Sequence, residues 1–123
     1  MTQPLALVFY ERLMPGSQLV NRLQDLKYRV LTVNNATLLT ATVKREMPLL
    51  LLADFSAQGD IRAAIEQIKS DPATIHLPVI VFAPDNEPGL LETARQAGAD
   101  FTVAESALSA HLSQLLDQAL HVE

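Results

Sequence analysis

Five short apolar runs, each followed by a segment with helical spacing, set the strongest limit on what this chain can fold into. They are "LALVFY" (Leu5 to Tyr10), "YRVLTV" (Tyr28 to Val33), "PLLLLAD" (Pro48 to Asp54), "LPVIVFA" (Leu77 to Ala83) and "DFTVA" (Asp100 to Ala104). Short, nearly continuous apolar runs of this kind are strands buried on both faces. That burial requires a parallel sheet with helices packed on each side. At 123 residues, with no repeat, no low-complexity tract and no internal linker, residues 1–123 form one domain of ordinary size.

The intervening segments supply the helices. Pro15-Gly16 interrupts the chain, and Ser17 is placed to cap a helix whose apolar residues fall at Leu19, Val20, Leu23 and Leu26. Ala36 to Glu46 predicts a weaker helix, because Thr37, Thr40 and Thr42 lower its propensity. Ile61, Ala64, Ile65 and Ile68 mark one face of a third helix, with Arg62 and Glu66 as an i,i+4 pair outside it. Asp85-Asn86 offers caps for a fourth, Pro88 suits its first turn and Gly98 its left-handed end, with Leu90, Leu91 and Ala94 facing inward. Leu108, Leu112, Leu115, Leu116 and Leu120 stripe the last.

In a sheet built this way, chemistry lies beyond the carboxyl ends of the strands. Those ends carry Phe9, Tyr10 and Glu11, then Asp54, Ala83 and Glu105. Much chemistry is excluded there. The only glycines are Gly16, Gly59, Gly89 and Gly98, so neither a dinucleotide fingerprint nor a phosphate loop can be assembled. His76, His111 and His121 lie away from the crevice without metal-ligand spacing, and no serine has a histidine to activate it. The absence of cysteine removes thiolate chemistry and disulfides. A net charge of −5 with scattered Lys and Arg argues against nucleic acid. No run is long enough to span a membrane and no signal peptide opens the chain, so a cytoplasmic protein is expected. Asp54, Ser56 and Gly59 resemble the D-x-H-x-x-G signature of cobalamin-binding domains, but Ser56 cannot ligate cobalt.

A different resemblance covers essentially the whole chain. "SDPATIHLPVIVFA", "ARQAGADFTVAES", "PLLLLAD" and "LQDLKYRV" resemble, in order and spacing, segments of response-regulator receiver domains, with Lys27 where a helix-ending Gly is common. The resemblance implies a flavodoxin-like, doubly wound (βα)5 three-layer α/β sandwich whose parallel strands run in the order 2-1-3-4-5. It also implies two-component signalling, in which a histidine kinase phosphorylates an Asp ending the third strand. Phosphoryl transfer to a carboxylate requires cations to neutralise charge, and Mg²⁺ requires hard oxygen ligands. Receivers supply an acidic pair after the first strand, a Thr or Ser ending the fourth and a Lys ending the fifth.

Carried over position by position, Asp54 stands as the phosphoacceptor. Phe9 and Tyr10 stand at the acidic pair with Glu11 following, Ala83 at the hydroxyl position and Glu105 at the lysine position. Thr102 occupies the usual switch aromatic, with Phe101 beside it. A like charge at about 4–6 Å costs on the order of a few kcal/mol, so Glu105 opposes a phosphorylated Asp54. The expectation is a degenerate receiver: no enzyme, Mg²⁺ binding weak or absent, no other metal or cofactor, and a protein partner bound without phosphorylation. That partner is a kinase, an output domain or a second copy. The expected surface is the fourth helix, fifth strand and last helix, including Glu92, Arg95, Gln96, Phe101 and Gln114. The alternatives are a receiver still phosphorylated at Asp54, or a small-molecule or cation sensor built on Glu11, Asp54 and Glu105 with Phe9 and Tyr10 lining a pocket.

Overall fold

The computed structural model describes residues 5–10, 13–33, 35, 38–55, 61–85 and 87–120. Strands and helices alternate: β1 (Leu5–Phe9), α1 (Leu13–Asp25), β2 (Arg29–Val33), α2 (Leu39–Glu46), β3 (Leu50–Asp54), α3 (Ile61–Ser70), β4 (Val79–Ala83), α4 (Pro88–Ala97), β5 (Phe101–Ala104) and α5 (Glu105–Leu120). The five strands are parallel and run in the order β2-β1-β3-β4-β5, as the flavodoxin-like architecture requires.

Strand alternation divides the interior into two cores. Leu7, Phe9, Leu51, Ala53, Val79 and Val81 pack against the apolar faces of α2, α3 and α4. Ala6, Val8, Leu50, Leu52, Ile80 and Phe82 pack against α1 and α5. Every residue of β3 and β4 is buried, which is why neither run alternates in sequence. In α5, Leu108, Leu112 and Leu116 are buried and Leu115 packs against the same core, while the side chain of Leu120 lies outside the described residues. The backbone of α5 leaves helical angles at His111 (φ −127°, ψ 27°).

Two helices start elsewhere than the sequence predicts. Pro15-Gly16 does not interrupt the chain; both residues lie inside α1, which begins at Leu13 rather than after Ser17. The first-turn N–H groups of a helix have no internal partner, so a proline there loses nothing and its fixed φ suits the turn. The side chain of Ser17 lies outside the described residues. In α2 the helix proper begins at Leu39, and residues 36 and 37 lie outside the described set. Thr42 tolerates its helical site because its hydroxyl donates to the Leu38 carbonyl at 2.8 Å.

Left-handed residues follow the carboxyl ends of α1, α2 and α4. Gly98 ends α4 at φ 116°, and an added Cβ would meet Lys69 Cβ and Cγ at 3.1 Å. After α1 the same left-handed turn falls on Lys27 (φ 72°), with the Tyr28 N–H donating back to the Leu23 carbonyl at 3.0 Å. A side chain at such an angle is strained where glycine is not.

At the amino end of β4 a polar hub ties α3 to the α4–β5 connection. Lys69, only 14% exposed, places Nζ 3.0 Å from the Ile75 carbonyl, 2.7 Å from the Leu77 carbonyl and 2.7 Å from Asp100 Oδ2. Asp100 grips Val79 in turn, its carboxylate accepting the Val79 N–H at 2.8 Å and its own N–H donating to the Val79 carbonyl at 3.0 Å. The turn between is closed by Asp71, which accepts the Ala73 N–H, and by buried Thr74, whose hydroxyl donates to the Ile68 carbonyl at 2.7 Å.

Two opposite stability changes are expected in urea unfolding. Lys27→Gly raises the unfolding free energy by about 0.5–1 kcal/mol by removing left-handed strain. Lys69→Met lowers it by about 2–3 kcal/mol, because two carbonyls and a carboxylate lose a charged donor.

Candidate functional site

The carboxyl ends of β1, β3, β4 and β5 form one rim because the strands are parallel and their register is nearly level. Phe9 pairs with Ala53, Asp54 with Phe82, and Ala83 with Ala104. Asp54 therefore ends the central strand of the sheet. It is 0% exposed, and the next N–H, of Phe55, donates to the Phe82 carbonyl at 2.9 Å, which prolongs the ladder past it. Leu50 and Leu52 face the α1 and α5 core, so strand alternation puts Asp54 on that side.

Among the described residues, the neighbouring ends of β1 and β4 are apolar or aromatic. Phe9 is fully buried in the core beneath α2, α3 and α4, so its ring fills structure instead of lining an open pocket. Tyr10 is half-buried against the opposite core, and its N–H donates to the Val33 carbonyl at 3.0 Å. Ala83 is fully buried. Glu105 is half-buried and opens α5 directly after β5, next to the end of β4. The structure thus brings Phe9, Tyr10, Asp54, Ala83 and Glu105 to one end of the sheet, while Glu11 lies outside the described residues. Among the described residues, no three His, Cys, Asp or Glu side chains cluster closely enough to hold a metal ion.

Of Asp85 and Asn86, expected to offer caps to the helix that follows, Asn86 lies outside the described residues and Asp85 caps a different helix. Its Oδ1 accepts the Ser106 N–H at 3.1 Å and its Oδ2 accepts the Ser106 hydroxyl at 2.5 Å. These two hydrogen bonds hold its carboxyl below the usual carboxylate range. No motif signals this contact, since the partners lie 21 residues apart. The one available hint is that α5 starts after Ala104, which has no capping oxygen.

The proposed partner-face residues fall around the β5 edge of the sheet. Glu92, Arg95 and Gln96 are exposed on α4, and Arg95 is ion-paired with Glu92. Gln114 is exposed on α5, while Phe101 is half-buried against the α1 and α5 core. His76 and His111 are exposed, away from the rim. No described helix is long and apolar enough to cross a membrane.

No family model matches the chain, and no curated protein matches it. Solved structures match it along nearly its full length. A Chloroflexus aurantiacus protein assigned as a response regulator superposes with a TM-score of 0.88 at 17% identity, over 97% of this chain and 98% of that one. The receiver domain of a Pseudomonas aeruginosa sensor histidine kinase, with magnesium coordinated in its active-site cleft, gives 0.86 at 20% identity over 97% and 98%. A chemotaxis response regulator of Vibrio cholerae gives 0.83 at 14% identity over 97% and 100%. The fold of this chain is that of receiver domains.

The burial of Asp54 has a direct chemical readout. Carbodiimide coupling of a small amine to the native protein should label exposed Glu92 and leave Asp54 unmodified, with Asp54 labelled only after denaturation. Peptide mass spectrometry decides between this pattern and equal labelling at both.

Proposed function

We propose that this receiver-fold domain acts in signal transduction as a protein-interaction module that works without phosphorylation. The observation that carries the reading is the surroundings of Asp54: a fully buried carboxylate at the phosphoacceptor position, with Ala83 and Glu105 at the hydroxyl and lysine positions. A phosphoryl group arriving there would bring negative charge to a site with an acid where a cation is needed. Phe9 and Tyr10 at the acidic-pair positions offer no carboxylate, so Mg²⁺ would find fewer hard oxygen ligands at this rim. On this reading the domain has no catalytic role of its own.

The partner is a kinase, an output domain or a second copy of the chain, bound at the β5 edge between α4 and α5. Exposed Glu92, Arg95, Gln96 and Gln114 supply its polar contacts, with Phe101 at the strand edge. Such a surface exists whether or not the crevice is charged, which suits a module whose switch has been lost.

An amide NMR titration with Mg²⁺ and then beryllofluoride, which mimics the aspartyl phosphate, tests the reading. A spectrum that stays unchanged at Asp54 and along β5 is the expected result. Shifts centred on Asp54 and spreading into β5 would overturn it and return control to phosphorylation. Arg95→Glu, which places two acids three residues apart on α4, should weaken self-association or partner binding at least severalfold, as read by sedimentation or titration calorimetry. The fold should be untouched, because the side chain is exposed.

A further inference from the structure

We propose that Asp85 and Ser106 form a strap that fixes the β4–α4 loop to the start of α5, so that one carboxylate outside α4 sets the entry to that helix. α5 begins at Glu105, the residue immediately after β5, and the position before it is Ala104. Alanine has no side-chain oxygen to offer the first-turn N–H groups, which a helix leaves without internal partners. Asp85 fills that place from 21 residues away, using both carboxylate oxygens on the N–H and the hydroxyl of one residue. A bond to each oxygen defines the carboxylate's orientation as well as its position.

The loop end of the strap also lacks a side-chain cap of its own. α4 begins at Pro88, and Glu87 at its N-cap makes no side-chain cap bond. Backbone bonds close the approach, the Glu87 N–H donating to the Pro84 carbonyl at 3.0 Å and the Leu90 N–H to the Glu87 carbonyl at 3.1 Å. Asp85 lies inside that turn, three residues before Pro88. Pinning Asp85 therefore fixes where α4 starts, and one carboxylate serves two helices. The strand ends below, Ala83 and Ala104, are the last paired rung of β4 and β5, so the two points being joined rise from neighbouring strands.

Hydrogen exchange of individual amides, read by NMR on the full chain, tests the strap. Asp85→Ala should speed exchange at Ser106 and also at Glu87 and Leu90 by about tenfold, the ratio corresponding to one lost hydrogen bond. Leu51 and Leu52 in β3 should keep their rates. Asp85→Asn, which retains one acceptor oxygen, should fall between. Unchanged rates at all three amides overturn the proposal. Faster exchange at Ser106 alone also overturns it, because Asp85 would then cap α5 without holding the loop. If Asp85→Ala loosens β3 as well, Ser106→Ala decides on the same amides: it removes one hydroxyl, and Glu87 and Leu90 must still exchange faster. No beryllofluoride or partner is involved, so this outcome is separate from the fate of the proposed function.

Discussion

The dryness of the two central strands governs this structure. Every residue of β3 and β4 is buried, Asp54 included. Strands in that condition cannot leave either face to water, so both faces must be covered by helices, and parallel pairing with right-handed crossovers does that. The backbone's polar groups are spent in the ladders. Side-chain chemistry is then confined to the strand ends, and the end of β3 is where a carboxylate can stand beside the loops. Asp54 marks the limit of the apolar interior.

Polar contacts consequently gather at the two ends of the sheet, where they fix connections that the apolar cores do not reach. At the amino end of β4, Lys69 joins α3, the following turn and Asp100, and Gly98 packs on its aliphatic stem. At the carboxyl end, Asp85 joins the β4–α4 loop to α5. Each hub satisfies backbone groups that a helix or strand terminus leaves open. The first is partly buried and the second exposed, so the amino end contributes more to stability and the carboxyl end more to the placement of loops.

Element type and order were legible because they follow from periodicity, which is local. The apolar runs became β1 to β5 with their boundaries moved by one or two residues, and the Ile61, Ala64, Ile65 and Ile68 stripe is the buried face of α3. Gly98 ends α4 as its backbone freedom suggested. Pro15-Gly16 misled, because proline breaks a helix interior but not a first turn, and sequence does not say which of these it occupies until the start is known. Asp85 shows a related limit: its type marks it as a capping side chain, and nothing local says which helix it caps. Lys69 gave little signal, standing beside the apolar stripe like any solvated lysine. Of the site itself, the identities at positions 9, 10, 54, 83 and 105 were readable, and the full burial of Asp54 was not.

The sequence by itself determined a five-unit parallel α/β sandwich, the placement of an Asp at the end of its third strand, and the absence of a hydroxyl and a lysine at the ends of the fourth and fifth strands. These follow from composition along the chain: runs too apolar for any exposed face, and residue types that no folding can alter. Only the tertiary structure decided that Asp54 is closed off from solvent, that the Phe9 ring belongs to the core, and that Asp85 reaches Ser106 and Lys69 reaches Asp100. Those outcomes depend on which loops and strand ends the sheet brings together. Hydrogen bonds between residues 21 or 31 positions apart leave no period in the sequence; they exist because parallel strands with level register deliver distant chain segments to the same end of the sheet.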